Sequence, residues 1–266
     1  MVIGVGGPDP HGGCDVVVED PDQIVQAIER NPHAATVLVQ LLRTSESLDV
    51  PAALVAESLA YATLQGGPEF ARWLGNREAP RPRPEATEPP VLVDRQSDRL
   101  LITLNRPEVH NAYNAAMRDA LVEALEVGIA DPEVSVHLAG KGPSFCSGGD
   151  LMEFGTTPDP TTAHLIRTTR SPGILIAQLA SRCTVTVHGA CVGAGIELAA
   201  FAGTVVPDGE PFFQLPEVGM GLVPGAGGTV SLPRRIGRAR TAELALTGRR
   251  LDLDTALRWG LVDRIP

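Results

Sequence analysis

The chain has 266 residues, 43% of them hydrophobic, enough for one large domain or a domain with a smaller companion. A formal net charge of −10 excludes the basic face that nucleic-acid binding requires. Cys14, Cys146, Cys183 and Cys191 lie far apart with no CxxC pair, which argues against a disulfide framework or zinc site and for buried thiols in a reducing compartment. No apolar run approaches the roughly 20 residues of a membrane span. The N-terminus lacks the basic segment of a signal peptide, so the expected location is cytoplasmic.

Residues 1–18 are glycine-rich and read as loose. Short helices with legible starts follow. Asp20-Pro21 and Asn31-Pro32 each place a capping side chain before a proline, and Asp49 with Pro51 does the same. Val37, Leu38, Leu41 and Leu42 form one apolar stripe; Leu54, Val55, Leu59, Tyr61, Ala62 and Leu64 form a broader one. Gly66-Gly67-Pro68 ends that helix, and 69–74 reads as a further turn or two. This small helical unit, 1–78, offers no obvious catalytic group. Residues 79–90 carry five prolines in twelve residues and read as a stiff linker.

From 91 to 266 strands and helices alternate, the mark of a layered α/β domain. Val91-Leu92-Val93 and Leu100–Leu104 flank a polar turn and predict a hairpin. The spacing of Met117, Leu121 and Leu125 predicts a helix over 114–127, and 134–138 reads as a buried strand. Residues 165–179 read as helix, 185–187 as strand, and 193–202 as a helix that is small on every side. Val205-Val206 is a further strand; 241–246 and 255–259 are helices.

Glu197 closes the glycine-rich run 187–197. Glu217 stands before Val223-Pro224-Gly225-Ala226-Gly227-Gly228-Thr229, and Ser144–Asp150 forms a third such loop. Glycine lets main-chain N–H groups approach a ligand closely, and two carboxylates can divide acid and base work. Together they suggest a site that polarises a carbonyl and moves protons beside it. Taken singly, Glu197 reads as a helix N-terminal carboxylate and Glu217 as a solvated turn residue.

The order Asn105-Arg106-Pro107…Asn111-Ala112, Phe145-Cys146-Ser147-Gly148-Gly149-Asp150, Val187-His188-Gly189…Gly195-Ile196-Glu197, Pro216-Glu217, Pro224–Thr229, Leu246-Thr247-Gly248 and Gly260-Leu261-Val262 resembles the crotonase (enoyl-CoA hydratase/isomerase) superfamily over about 91–266. The resemblance implies a crotonase-like spiral of ββα turns carrying an N-terminal α-helical extension, and acyl-CoA thioester substrates. It implies an oxyanion hole from the N–H groups of Ser147 and Ala194, with Glu217 protonating the α-carbon and Glu197 activating water. Gly148, Gly149, Asp150, Gly193 and Arg106 become substrate-binding positions, Arg106 toward the coenzyme A phosphates. It implies no cofactor beyond the coenzyme A of the substrate, no metal, and a homo-oligomer, trimer or hexamer. Members continue past the Gly-Leu-Val segment with further helices; the sequence here ends at Pro266, so the N-terminal helices are expected to take over part of their covering or assembly role. The stretch Glu57–Phe70 also resembles crotonase-like dioxygenases that act on arylacetyl-CoA without cofactor. Enoyl-CoA isomerisation and non-catalytic binding of an acyl-CoA also fit the same motifs.

Read from the residues alone, Asp150 caps a helix starting near Leu151, His188 is a satisfied core histidine, and Cys146 and Cys191 are small core residues. Pro224–Thr229 lacks a phosphate-loop ending and is expected to position the Glu217 segment. Arg234, Arg235, Arg238 and Arg240 read as solvated helix charges.

Overall fold

β-branched runs bounded by glycine and proline build the sheet that carries everything else. The structure is a computed structural model that describes residues 1–7, 12–78 and 88–263. Strand β1 (Ile3–Val5) pairs in parallel with β2 (Val16–Val18), so these two segments of the N-terminal stretch are held in a sheet, where a loose chain was expected. Val16 is buried, and beside it the buried Asp15 pairs with Arg43 at 2.7 Å and Arg238 at 3.1 Å.

Four helices follow: α1 (Asp22–Arg30), α2 (Pro32–Ser45), α3 (Val50–Gln65) and α4 (Pro68–Asn76). Asp49 caps α3 through Ala52 N–H, as expected. Asn31 does not cap α2. Glu69 takes that role by accepting from the His33 and Ala34 amides, and Asn31 reaches the Val218 carbonyl instead. On α3 the buried face is Ala53, Leu54, Glu57, Ser58 and Leu64; Val55 and Leu59 are exposed. The predicted linker falls largely on 79–87, outside the described residues.

The hairpin forms as β3 (Val91–Gln96) and β4 (Arg99–Leu104). Helix α5 (Ala115–Ala130) buries Met117, Leu121 and Leu125. Strand β5 (Ser135–Gly140) leads toward the Ser147 loop. The helix expected over 165–179 is two, α6 (Pro160–Thr169) and α7 (Pro172–Gln178), because Pro172 cannot continue the hydrogen-bond ladder and Ser171 caps the second. Next come β6 (Cys183–Val187), β7 (Ala190–Val192), α8 (Ala194–Ala199), β8 (Thr204–Pro207) and β9 (Phe212–Gln214). Helices α9 (Gly228–Ile236), α10 (Arg238–Thr247) and α11 (Leu253–Trp259) complete the chain.

The main sheet has the order β3-β4-β5-β6-β8, parallel after the first pair. After each inner strand the chain makes a short stretch of a second layer, then a helix. Tyr113 bridges Gly149, Cys146 bridges Cys191, and β7 pairs with β9, all in parallel. This is the spiral of ββα turns. It stacks the chain segments at 146–149 and 190–194 side by side, where the site lies. Helices α2 and α3 pack against α9, and α3 packs against α6, so the N-terminal helices cover that end of the spiral.

Candidate active site

The two glycine turns face each other. Cys146 N–H donates to Ala190 C=O at 3.1 Å, and Val192 N–H donates to Cys146 C=O at 3.0 Å. Gly148 and Gly193 both take positive φ, +98° and +48°, which lets the turns close against one another. Ser147 is not an available donor: its N–H already bonds to His110 C=O at 2.9 Å, and it does not line the cavity. The main-chain N–H groups of Gly149 and Ala194 carry no hydrogen bond among the described residues, and both residues line the cavity. The two turns thus present the N–H groups of Gly149 and Ala194 to the cavity, and the Tyr113–Gly149 bridge fixes which N–H of the first turn is left over.

Glu197 and Glu217 meet in the same cavity, and their surroundings differ. Glu197 is buried on α8, and its Oε2 accepts from Ala226 N–H at 2.7 Å and Gly228 N–H at 2.9 Å. Its Oε1 takes no hydrogen bond among the described residues. Burial pushes its carboxyl up to about 7, with the two amides opposing. Glu217 opens the turn Glu217–Met220, and its Oε2 is buried without a hydrogen-bond partner among the described residues. Burial, then the charge of Glu197, hold its carboxyl well above the ordinary carboxylate range. The loop 224–229, expected to position Glu217, instead grips Glu197.

A third carboxylate was not expected. Glu57 of α3 is 2% exposed; its Oε1 accepts from Gly227 N–H at 2.7 Å, and its Oε2 from Thr229 N–H at 2.9 Å and Thr229 Oγ1 at 2.7 Å. Burial, then the nearby Glu197, push its carboxyl up to about 8. The signal was present in the sequence: Glu57 stands three and four residues after Leu54 and Ala53 and seven before Leu64, on one helical face. The cavity itself measures about 370 Å³, within the usual size of a small-molecule site. Glu57, Ser58 and Tyr61 of α3 wall one side, with Arg167 of α6 stacked over the Tyr61 ring at 4.5 Å.

Comparison with known proteins decides the kinship. The model of the family described as enoyl-CoA hydratase/isomerase matches residues 94–266. The chain belongs to the enoyl-CoA hydratase/isomerase family. It is 34% identical over 177 residues to 2,3-dehydroadipyl-CoA hydratase of Escherichia coli, covering 66% of this chain and 68% of that protein. It is 34% identical over 163 residues to YhaR of Bacillus subtilis, covering 61% of this chain and 64% of that one. The chain thus spans about two thirds of the length of these curated relatives. Among solved structures, an enoyl-CoA hydratase from Mycobacterium smegmatis superposes with a TM-score of 0.61 at 34% identity, covering 66% of this chain and 70% of that chain. The crotonase fold of the family is the fold described above.

The other positions expected to bind substrate make contacts within the fold. Arg106 does not line the cavity; it pairs with Asp150, which does, at 3.1 Å and donates to the Ala112 carbonyl. Asp150 caps Met152 N–H, though Leu151–Gly155 is a run of turns and not a helix. Gly148 packs on β7: a methyl there would lie 3.0 Å from the Val192 carbonyl oxygen. His188 hydrogen-bonds to Gly142 C=O. Burial raises the thiols of Cys146 and Cys191, Cys146 to about 12, as suits core residues. Arg234, Arg235, Arg238 and Arg240 are anchors: Arg234 donates to Leu48 C=O, Arg235 to Ala202 C=O, Arg238 to Asp15, and Arg240 lies over Trp259. Among the described residues no helix is long and apolar enough to cross a membrane.

Proposed function

We propose that this chain adds water across the double bond of a 2-enoyl-CoA thioester. The observation that carries the reading is the asymmetry of the two glutamates. Glu197 is held by two amides that favour its anion, while Glu217 has a buried, unpartnered oxygen beside that anion and stays neutral. Two carboxyls whose surroundings push their proton affinities apart form a base and an acid.

The thioester oxygen sits between the N–H groups of Gly149 and Ala194, which stabilise it as negative charge develops. Glu197 takes a proton from water as the water oxygen bonds to the β-carbon. Glu217 delivers its proton to the α-carbon. The reaction needs no cofactor besides the coenzyme A carried by the substrate.

Incubation with crotonyl-CoA, followed by its conjugated absorbance, tests the reading. Loss of absorbance is expected, and Glu197→Gln or Glu217→Gln should each lower kcat by about 10²–10⁴-fold while thioester binding persists. An unchanged kcat in either variant overturns it. Binding without turnover in the wild type points to a non-catalytic acyl-CoA subunit. A second reading, cofactor-independent oxygenation of an arylacetyl-CoA, is favoured by one observation: Glu57, Ser58 and Tyr61, which carry the likeness to those oxygenases, line the cavity. Oxygen uptake with an arylacetyl-CoA would select it.

A further inference from the structure

Four successive main-chain N–H groups at the start of α9 alternate between two carboxylates. Ala226 and Gly228 donate to Glu197; Gly227 and Thr229 donate to Glu57. Glu197 comes from the ββα spiral and Glu57 from the N-terminal helices, 140 positions earlier in the chain. The loop is thus stretched between them, and neither carboxylate can shift without moving the other's donors. There is little slack around the loop. A methyl on Gly228 would come within 2.7 Å of the Glu197 side chain, and one on Gly227 within 2.3 Å of the Phe201 ring. The same helical unit braces the second glutamate: Asn31 Nδ2 donates to Val218 C=O at 2.8 Å, one residue from Glu217.

We propose that Glu57 is a positioning residue of this site: by clamping residues 227 and 229 it fixes where the free oxygen of Glu197 stands, so that the N-terminal helices complete the catalytic pair as well as cover it. The proposal rests on the hydration reading for its kinetic consequence. Its structural consequence does not. A loop held by one carboxylate in place of two lets Glu197 wander, and misplacing a reacting group by about an ångström costs on the order of 10²-fold in rate. The charged and titratable groups facing Glu57 are Glu197 on α8, Glu217 on its turn, Arg167 on α6 and Tyr61 on its own helix. Burial lifts the Glu57 carboxyl to about 8, above Glu197 at about 7, so Glu57 is protonated while Glu197 ionises and Glu57→Gln acts through the clamp.

The full chain carrying Glu57→Gln is compared with wild type on crotonyl-CoA. The expected result is a kcat lowered by about 10–10²-fold with a KM changed by less than about threefold. General loss of folded protein is removed by normalising kcat to the folded fraction from circular dichroism. Thr229→Val, which deletes one hydroxyl donor at nearly constant volume, should lower kcat the same way by a smaller factor. It decides the matter if Glu57→Gln does not fold. Wild-type kcat in the variant that folds overturns the proposal. The infrared carboxylate bands of ionised Glu197 in a Glu217→Gln background separate this proposal from the hydration reading. If the wild type turns over no enoyl-CoA, the hydration reading fails. The proposal then stands or falls on whether Glu57→Gln shifts those bands, which report the Ala226 and Gly228 hydrogen bonds.

Discussion

Gly193→Ala should damage both stability and turnover, for reasons that can be sized. Gly193 stands at φ 48°, ψ −123°, a conformation that side chains avoid, at a cost of about 1–2 kcal/mol. The added methyl would lie 2.4 Å from Oε1 of Glu217. Carbon and oxygen do not approach so closely, so the carboxyl must retreat by roughly half an ångström or more, or the turn must open. Retreat moves the acid; opening moves the Ala194 amide. Either way kcat should fall by about 10–10²-fold, and the melting temperature by about 3–8 °C. Thermal melts and crotonyl-CoA kinetics on the same preparations measure both. Gly219→Ala is the control, because a methyl there meets nothing within 4 Å. Wild-type melting and wild-type kcat in Gly193→Ala would refute the packing of Glu217 against this turn.

The remaining expectations concern the amides, the buried acids and the N-terminal anchor. Ala194 is the first residue of α8, the helical position that tolerates proline, so Ala194→Pro should keep the fold yet lose one oxyanion donor and about 10²–10³-fold in kcat. Ser147→Ala keeps the N–H and removes a hydroxyl that reaches only the Val109 carbonyl at 3.4 Å, so kcat should stay within about twofold; a larger loss would mean that the hydroxyl serves the site. Glu57, Glu197 and Glu217 all have raised carboxyls in the fold. Between the unfolded value near 4.5 and about 7–8 the unfolded chain ionises while the fold keeps its protons, so this contribution is full below that window and is lost as pH rises through it. Melting temperature should therefore fall from about pH 5 to pH 8.5, by the equivalent of a few kcal/mol at most, and less steeply in Glu57→Gln; a flat profile in the wild type would contradict the shared burial. Asp15 is held below the usual range: burial raises it, but the Arg43 and Val2 hydrogen bonds outweigh that. Asp15→Ala should cost about 1–3 kcal/mol by chemical denaturation, and an unchanged midpoint would mean the N-terminal strands are not anchored there.

The layered α/β domain was legible in the alternation of strand and helix, and the ββα spiral through the resemblance of the motifs. Gly148 and Gly193, two of the motif glycines, stand at positive φ where the backbones approach closely. Which main-chain N–H of the first turn stays unbonded was less legible, since a bridge between Tyr113 and Gly149, 36 residues apart, decides it. Glu57 was hidden in an apolar helix whose composition pointed to Val55 and Leu59 as core. The face that packs was selected by α6 and by the 226–229 loop, and those partners lie more than 100 residues away. The pairing of Arg106 was not legible, because its partner, Asp150, is brought near only by the fold.

The carbonyl of a bound enoyl-CoA, labelled with carbon-13 and held on a Glu197→Gln, Glu217→Gln double variant that cannot turn it over, gives the most direct reading of the site. With the N–H groups of Gly149 and Ala194 on its oxygen, its infrared stretch should fall below that of the thioester in water, and adding Ala194→Pro should reverse most of the fall. A stretch unmoved by binding would mean that no pair of amides meets the oxygen there.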